Sequence, residues 1–217
     1  MFLSGVLELQ AGEWFNTNRR YRIEPCFFCG FGFDDIDLGE TIDGDTVTLS
    51  AGGGYGFGAS IGYGINRDFD FDFTVGWQQS SLSPDVNNAE GIFERNIFLA
   101  TLKYKVPMSN RKQQFKFGIG LGLYHSGEFD VNTTQAAGEH TIINYDDAIG
   151  FHITAEYEMF FDRDWSWLVG VKYYDVDYDA GAVKVDGISY APGLLIDEMQ
   201  TIDGGGVNFN IGIAKYF

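Results

Sequence analysis

The feature that most constrains this chain is a strict alternation of apolar and polar residues, which recurs in eight separate stretches. Between Phe69 and Gln78, Phe, Val and Trp occupy every second position, and Asp, Thr, Gly and Gln occupy the others. Alternation with period two predicts β-strands whose two faces differ chemically. The eight runs cover residues 3–12, 47–64, 69–78, 97–106, 115–124, 149–159, 165–174 and 207–216, and no comparable stretch has a helical period.

Composition narrows the class of protein. Aromatic residues make up 17% of the 217 residues, which argues against disorder. A formal net charge of −17 excludes a nucleic-acid binder, because phosphate contacts need clustered Lys and Arg. No signal peptide and no membrane-spanning helix of about 20 apolar residues is readable, and a mature chain whose signal has been removed would also lack a signal peptide.

The strands of a soluble β-sandwich or a lipocalin-like barrel also alternate apolar and polar residues. Three features of this sequence favour a membrane barrel instead. The runs are long, and a membrane-spanning strand needs roughly 9–11 residues. The polar face of residues 52–64 is rich in glycine rather than in the charged residues of a wet surface. Short connections also alternate with long ones, as they do in outer-membrane barrels. We expect extracellular loops at about 16–45, 79–95, 125–147 and 175–206.

The C-terminus carries the sharpest local pattern, with apolar residues at every second position before a final phenylalanine. These residues are Phe209, Ile211, Ile213 and Phe217, and Lys215 interrupts the pattern. The chain therefore resembles the small eight-stranded outer-membrane barrels of Gram-negative bacteria, namely the OmpA transmembrane domain, OmpX and the OmpW group. The resemblance spans the whole chain and implies a single all-β, antiparallel, up-and-down barrel in the outer membrane. It also implies that the insertion machinery reads the C-terminal residues as its signal.

Charged residues on the predicted inward face form a second pattern. Four consecutive runs present acid, base, base and acid at the same end, and two further charges and a histidine lie higher in the lumen. The candidate residues are Glu8, Asp70, Asp72, Lys103, Lys105, Lys116, His152, Glu156, Glu158 and Lys172. Charges inside a narrow barrel must pair. The pattern predicts either a gated polar path or a salt-bridged plug, and we favour the plug.

Two cysteines are too few for a disulfide scaffold or a four-thiolate zinc site. Cys26 and Cys29 fall within the first predicted loop, without the βαβ context of a thioredoxin motif or the histidine of a haem attachment site. We therefore predict a local disulfide between them.

No motif predicts catalysis, a cofactor or a metal. His152, Thr154 and Glu156 share an inward face, but threonine is a poor substitute for a serine nucleophile and nothing marks an oxyanion hole. The acidic run that begins at Asp34 lacks the spacing of an EF-hand, although divalent ions would bridge such carboxylates to lipopolysaccharide phosphates. Glycines within the runs do not make a phosphate-binding loop.

The sequence therefore predicts a non-enzymatic outer-membrane barrel with a structural or surface-interaction role, or one that passes small solutes. An OmpW-like carrier of small apolar molecules is the alternative. An accessory barrel of a larger envelope complex and a lipid-modifying enzyme are less favoured. The expected partners are outer-membrane lipid, lipopolysaccharide, the insertion machinery and a protein bound through the extracellular loops.

Overall fold

The computed structural model describes residues 17–41, 43–108, 112–133 and 138–217. Its strands, numbered in chain order, are Tyr21–Gly32 (β1), Ile36–Glu40 (β2), Thr46–Leu49 (β3), Gly54–Gly64 (β4), Phe69–Ser81 (β5), Glu90–Pro107 (β6), Gln113–Asn132 (β7), His140–Tyr145 (β8), Ala148–Phe160 (β9), Trp165–Asp175 (β10), Asp177–Val185 (β11), Ile188–Tyr190 (β12), Thr201–Asp203 (β13) and Gly206–Tyr216 (β14). A 3-10 turn at Pro192–Leu194 and a short helix at Asp197–Gln200 (α1) complete the described elements. Among the described residues, no helix has the length and apolar character needed to cross a bilayer.

Eight of these strands form a closed wall, which confirms the predicted eight-stranded antiparallel barrel. Around the ring the order is β1, β4, β5, β6, β7, β9, β10 and β14. The pairing of β7 with β9 and of β14 with β1 closes the ring, with Leu121 opposite Phe151 and Phe27 opposite Ile211. A closed ring bonds its backbone groups between neighbouring strands, so the wall needs no water to satisfy them.

The wall has apolar side chains outside and polar side chains inside, the reverse of a soluble protein. Outward residues such as Ile119, Leu121, Phe57 and Ile149 are 65%, 63%, 63% and 77% exposed. An apolar surface that encircles the whole barrel is far larger than the patches that soluble monomers expose. Its natural solvent is the hydrocarbon of a bilayer, and we call it the lipid belt.

The two ends of the barrel differ, and we name them by their connections. At the turn end, short links such as residues 65–68 and 161–164 join neighbouring wall strands. Asn66 Oδ1 accepts hydrogen bonds from the backbone N–H groups of Asp68 and Phe69, both at 2.8 Å, which stabilises the first of these links. The C-terminal residue lies at the same end, where the N–H of Phe217 donates to the carbonyl oxygen of Tyr21 at 2.9 Å.

At the loop end, the wall continues beyond the belt into a packed sheet. Strands β6 and β7 extend past the other wall strands, and β8, β11 and β12 add to them in that order. Phe93, Phe129, Ile143 and Tyr178 are at most 2% exposed in the apolar core beneath this sheet. Parts of the predicted loops 79–95 and 125–147 are therefore strand, because long-range pairing and burial extend β6 and β7.

The first wall strand is not where the sequence predicts it. Predicted strand 3–12, including Glu8, lies outside the described residues, and the predicted loop at 16–45 is wrong for Tyr21–Gly32, which form β1. Pro25 lies in the middle of β1 and has no N–H to donate to a neighbouring strand. The β1–β14 register accordingly skips Glu24 and Pro25, while Pro25 remains opposite Ala59 of β4.

The predicted run 47–64 is also divided in the structure. Gly54 has a φ of +99°, which turns the chain between β3 and β4 in a conformation that disfavours other residues. Only Gly54–Gly64 belongs to the wall, whereas Thr46–Leu49 forms a hairpin with β2 over the loop end. Val47 and Leu49 are buried there in the apolar core.

Candidate functional site: the lumen

The lumen at the turn end holds a cluster of charged side chains from five wall strands and a tyrosine from a sixth, which we call the turn-end network. Strand alternation directs every second side chain inward, so each strand contributes its charges from alternate positions. The network consists of Arg22, Glu24, Asp70, Asp72, Lys103, Lys105, Lys116, Glu156 and Glu158, from β1, β5, β6, β7 and β9, with Tyr216 of β14 as its neutral member.

Arg22 is the centre of the turn-end network. Its Nη1 is 2.8 Å from Asp70 Oδ2, its Nη2 is 2.6 Å from Asp72 Oδ2, and its Nε is 3.3 Å from Glu24 Oε2. The planar guanidinium suits this role, because it donates in several fixed directions at once. Gly62 on β4 leaves the necessary space, since a Cβ there would lie 2.7 Å from Arg22 Cζ and 2.6 Å from Asp72 Oδ1.

Three lysines link the remaining carboxylates. Lys103 Nζ lies 2.7 Å from Asp72 Oδ2 and 2.6 Å from Glu156 Oε2. Lys105 Nζ is 2.5 Å from Asp70 Oδ1. Lys116 Nζ is 2.8 Å from Glu158 Oε2 and 3.3 Å from Asp70 Oδ2, so it joins β5 to β9 across the lumen.

Neutral groups complete the hydrogen bonding of Glu158. Its Oε1 accepts hydrogen bonds from Tyr216 Oη at 2.6 Å and Ser166 Oγ at 2.5 Å, and its Oε2 accepts one from Gln114 Nε2 at 2.5 Å. All nine charged members of the turn-end network are at most 5% exposed. Buried charges that are paired and hydrogen-bonded in this way fill the lumen rather than line an open path.

The middle of the lumen is less densely packed. His152 Nε2 is 2.8 Å from Thr101 Oγ1, and among the described residues Lys172 makes no ion pair. Lys172 borders two small cavities of about 30 and 10 Å3, which also share Phe28 and Thr74 as lining residues. On this measure a water needs roughly 10–15 Å3, so the larger cavity accommodates about two waters and no organic solute.

A second closure lies at the loop end of the lumen. Arg95 Cζ is 5.1 Å from the ring centroid of Tyr124 and 5.0 Å from that of Tyr174. Its Nη1 donates to Tyr178 Oη at 3.1 Å and to the Gly204 carbonyl oxygen at 2.8 Å. This layer and the apolar core above it cover the lumen.

The phenols of the loop-end core titrate abnormally. Burial raises the pKa of Tyr145 well above its usual value. Burial also raises the pKa of Tyr178, although the neighbouring Arg95 acts in the opposite direction. Both groups are therefore held as neutral phenols in the folded protein.

The structure brings most of the predicted lumen residues together. Asp70, Asp72, Lys103, Lys105, Lys116, Glu156 and Glu158 form ion pairs with one another, whereas His152 and Lys172 lie apart from these pairs. Glu8 lies outside the described residues. Sequence reasoning missed Arg22 and Glu24, although their alternation with Tyr21 and Ile23 was a readable signal.

The predicted Cys26–Cys29 disulfide is wrong, because both thiols are free on the same strand. Residues i and i+3 of a strand are roughly 10 Å apart and point to opposite faces. A disulfide needs Cα atoms within about 7 Å. Cys26 borders the larger lumen cavity, and Cys29 is exposed on the outer face.

Two further chemical predictions concern metal ions and catalysis. In the part of the chain that the structure describes, no three His, Cys, Asp or Glu side chains are grouped to hold a metal. His125 Nδ1 contacts Asp147 Oδ1 at 2.6 Å and His140 Nε2 contacts Asp130 Oδ1 at 2.7 Å. Within the described ranges, these two surface pairs and the His152–Thr101 contact include no hydrogen bond to a serine hydroxyl.

The residues of the predicted insertion signal face outward on β14 and at its end. Phe209, Ile211, Ile213 and Phe217 are all about half exposed and contribute to the lipid belt. Lys215 interrupts them, and its Nζ lies 4.7 Å from the ring centroid of Trp165 and 5.6 Å from that of Phe217. The ammonium is therefore held among aromatic rings at the turn end.

Comparisons with known proteins bear on the fold. No protein-family model and no curated protein sequence matches the chain. Among solved structures, the outer membrane protein OprG from Pseudomonas aeruginosa is similar, with a TM-score of 0.61 and 15% identity over 92% of this chain and 96% of that one. Neisserial surface protein A has a TM-score of 0.56 and 13% identity, over 91% of this chain and 97% of its own. The N-terminal β-barrel domain of OprF from Pseudomonas aeruginosa has a TM-score of 0.51 and 12% identity, over 92% of this chain and 98% of its own.

These similarities confirm the fold that the resemblance implies. The chain has the fold of the small eight-stranded outer-membrane barrels, and it covers nearly the full length of each of these neighbours. Together with the lipid belt, the fold makes this a membrane-spanning barrel.

Proposed function

We propose that this protein is a non-enzymatic barrel of a Gram-negative outer membrane that acts as a closed anchor and presents its loop-end sheet at the cell surface. The observation that carries the proposal is the double closure of the lumen, by the turn-end network and by the Arg95 layer with its apolar core. The turn end then faces the periplasm and the loop end faces the outside, as in other barrels of this class.

The alternative is an OmpW-like carrier of small apolar molecules. Such a carrier needs a lumen cavity of the size of its cargo, and typical ligand pockets measure about 300–1,000 Å3. The lumen cavities of about 30 and 10 Å3 favour the closed anchor over the carrier. An enzymatic role has less support, because the described histidines contact aspartate or threonine and no positioned serine.

Two partners follow from the proposal. The apolar belt contacts outer-membrane lipid, with lipopolysaccharide around its outer rim. We also propose that the insertion machinery binds the outward residues of β14, since apolar side chains alternate there up to Phe217.

Planar-bilayer recording tests the closed barrel. The wild-type protein should show little steady conductance, because nine buried charged side chains fill the turn end of the lumen. Lys103→Met removes a cation that bridges Asp72 and Glu156, and it should raise the conductance. Asp164→Asn is the matched control, because Asp164 pairs with Arg20 in a half-exposed turn outside the lumen. A large wild-type conductance that Lys103→Met leaves unchanged would overturn the closed barrel.

A further inference from the structure

An apolar surface lies at the loop end, well away from the lipid belt. On β7 the last outward apolar residue of the belt is Leu123, and the next outward residue is His125. Val131 of β7 pairs with Thr141 of β8, which pairs with Val185 of β11. From Leu123 to Val131 the strand path is roughly 26 Å at about 3.3 Å per residue, and at a tilt of about 40° this places Val131 roughly 20 Å beyond Leu123 along the membrane normal. Strand β11 and its neighbour β12 therefore lie in water rather than in lipid.

This surface contains a groove, which we call the β12 groove. It measures about 310 Å3 and is lined by Val183, Val185, Tyr190, Ala191, Leu194 and Leu195. Val183 and Tyr190 are register partners, so their side chains share one face of the β11–β12 hairpin. Leu194 in this lining is 75% exposed, and two residues next to lining residues, Ile196 after Leu195 and Ile188 opposite Val185, are 58% and 59% exposed. A contiguous apolar surface in water marks an interaction site.

Strand β12 also offers backbone groups to a partner. It is the terminal strand of the sheet and pairs only with β11 among the described residues. The three residues Ile188–Tyr190 are all exposed. An extended peptide can add to such an edge while its side chains enter adjacent pockets.

The charges around the loop end specify the chemistry of the partner. The four loop-end segments 33–53, 82–94, 125–147 and 175–205 contain 21 of the 31 Asp and Glu residues but only one of the 14 Lys and Arg residues, Lys184. Asp186 and Asp197 flank the groove in sequence and are exposed. A surface of this charge attracts cations and repels phosphate-bearing lipids and nucleic acids.

We propose that the β12 groove binds a cationic amphipathic peptide segment of another protein, in an extended conformation. Apolar side chains of the segment fill the groove, and its Lys or Arg side chains face the acidic rim. This inference rests on the surface-exposed loop end of the proposed function and names the partner class that this surface selects.

The test uses the full chain in nanodiscs of zwitterionic lipid and a dye-labelled nine-residue peptide of alternating leucine and lysine. Fluorescence anisotropy gives its affinity, with empty nanodiscs as the blank. The leucine–lysine peptide should bind, and binding should weaken at high salt, because the attraction is partly electrostatic. A leucine–glutamate peptide should not bind, and a serine–lysine peptide should bind at least tenfold more weakly.

Variants locate the binding site. Leu194→Ser with Ile196→Ser should weaken binding of the leucine–lysine peptide at least tenfold, and both side chains are too exposed for the change to disturb folding. Asp186→Asn with Asp197→Asn should weaken it at least threefold. Asp34→Asn with Asp35→Asn is the matched control, since it removes the same charge beside β1, four wall strands from β7 on the opposite side of the barrel. This control should change the affinity less than twofold.

Three results would overturn the inference. They are absence of peptide binding, binding that the Leu194 and Ile196 substitutions leave unchanged, and a dimer that those substitutions dissociate, which would identify a second copy as the occupant. The conductance of the same preparations is a separate measurement. If the barrel is closed but binds no peptide, only the inference about the β12 groove is contradicted. If the barrel conducts and binds the peptide, only the proposed function as a closed anchor is contradicted.

Discussion

Removing the ammonium of Lys103 is the sharpest test of a dry lumen. Lys103→Met keeps most of the apolar stem and deletes the charge that lies 2.7 Å from Asp72 and 2.6 Å from Glu156. Asp72 keeps Arg22 at 2.6 Å, whereas Glu156 keeps only the hydroxyl of Thr154 at 3.3 Å. The variant therefore leaves Glu156 buried with no cation in ion-pair contact.

The structure indicates how much unfolding free energy Lys103→Met should lose. The turn-end network has five carboxylates and four cations, and the variant leaves five and three. Breaking a buried ion pair by removing one partner costs about 3–5 kcal/mol. Lys103 is 5% exposed and Glu156 is 5% exposed, so we expect a loss of stability in this range. Lys103→Met with Glu156→Gln removes the orphaned charge as well and should recover most of the loss.

Equilibrium urea unfolding in phospholipid vesicles, followed by tryptophan fluorescence, measures these free energies. Asp164→Asn is the control, because the Arg20–Asp164 pair is as short but its side chains are 23% and 50% exposed. Exposed pairs contribute about 0–1 kcal/mol. A loss below about 1 kcal/mol for Lys103→Met would indicate a hydrated lumen and refute the reasoning. A double variant as unstable as the single one would show that Glu156 is not the orphaned group.

Three further outcomes are expected. Unreduced, denatured protein should take up two alkyl groups by mass spectrometry, because Cys26 and Cys29 cannot bridge from opposite faces of β1; an unmodified protein would contradict this. Deletion of Phe217 should lower the fraction inserted in the outer membrane, measured by heat-dependent gel mobility; unchanged insertion would contradict a C-terminal signal. The loop-end core should be stable below the unfolded tyrosine pKa of about 10 and weaken above it, because burial raises the pKa of Tyr145 and Tyr178. In a pH titration, tyrosinate absorbance of the folded protein should therefore appear at a higher pH than that of the unfolded chain.

The alternation of the wall strands could be predicted from the sequence because every outward side chain contacts lipid hydrocarbon and must be apolar. An outward position between two inward ones must be apolar along the whole span, so β5, β9, β10 and β14 follow the predicted runs closely. The same alternation placed seven of the network residues on one inward face. Their mutual distances follow from register, which the short turns fix.

The loop-end sheet was not readable from the sequence. Strand β8 pairs with β11, although 31 residues separate the two strands in the sequence. A pairing between segments so far apart leaves no signature in local periodicity. Ile143 and Tyr178 are fully buried, yet their neighbours in sequence do not alternate cleanly. Tertiary packing rather than local pattern determines this part of the fold.

The position of β1 was misread because local signals competed with the alternation. Pro25 argues against a central strand, and the adjacent Phe27 and Phe28 obscure the period. The pair of cysteines three residues apart then favoured a loop closed by a disulfide. The sequence nevertheless allowed Tyr21–Gly32 to be recognised as a wall strand, since it has apolar residues at each outward position except Cys29.

Charge balance in the lumen supplies the argument that decides between the two candidate first strands. The predicted inward residues at the turn end include four carboxylates, Asp70, Asp72, Glu156 and Glu158, but only three lysines, which leaves an excess of one carboxylate. Buried charges need partners, so a first strand that adds a cation is favoured over one that adds only an acid. Strand β4, next to β5, offers only Gly62 and Gly64 opposite Asp72 and Asp70. A first strand at 3–12 would add Glu8 and no Lys or Arg, and would raise this excess to two carboxylates. Residues 21–32 bring Arg22 together with Glu24, so the excess stays at one carboxylate, and the guanidinium of Arg22 reaches Asp70 and Asp72 across the space that Gly62 leaves open.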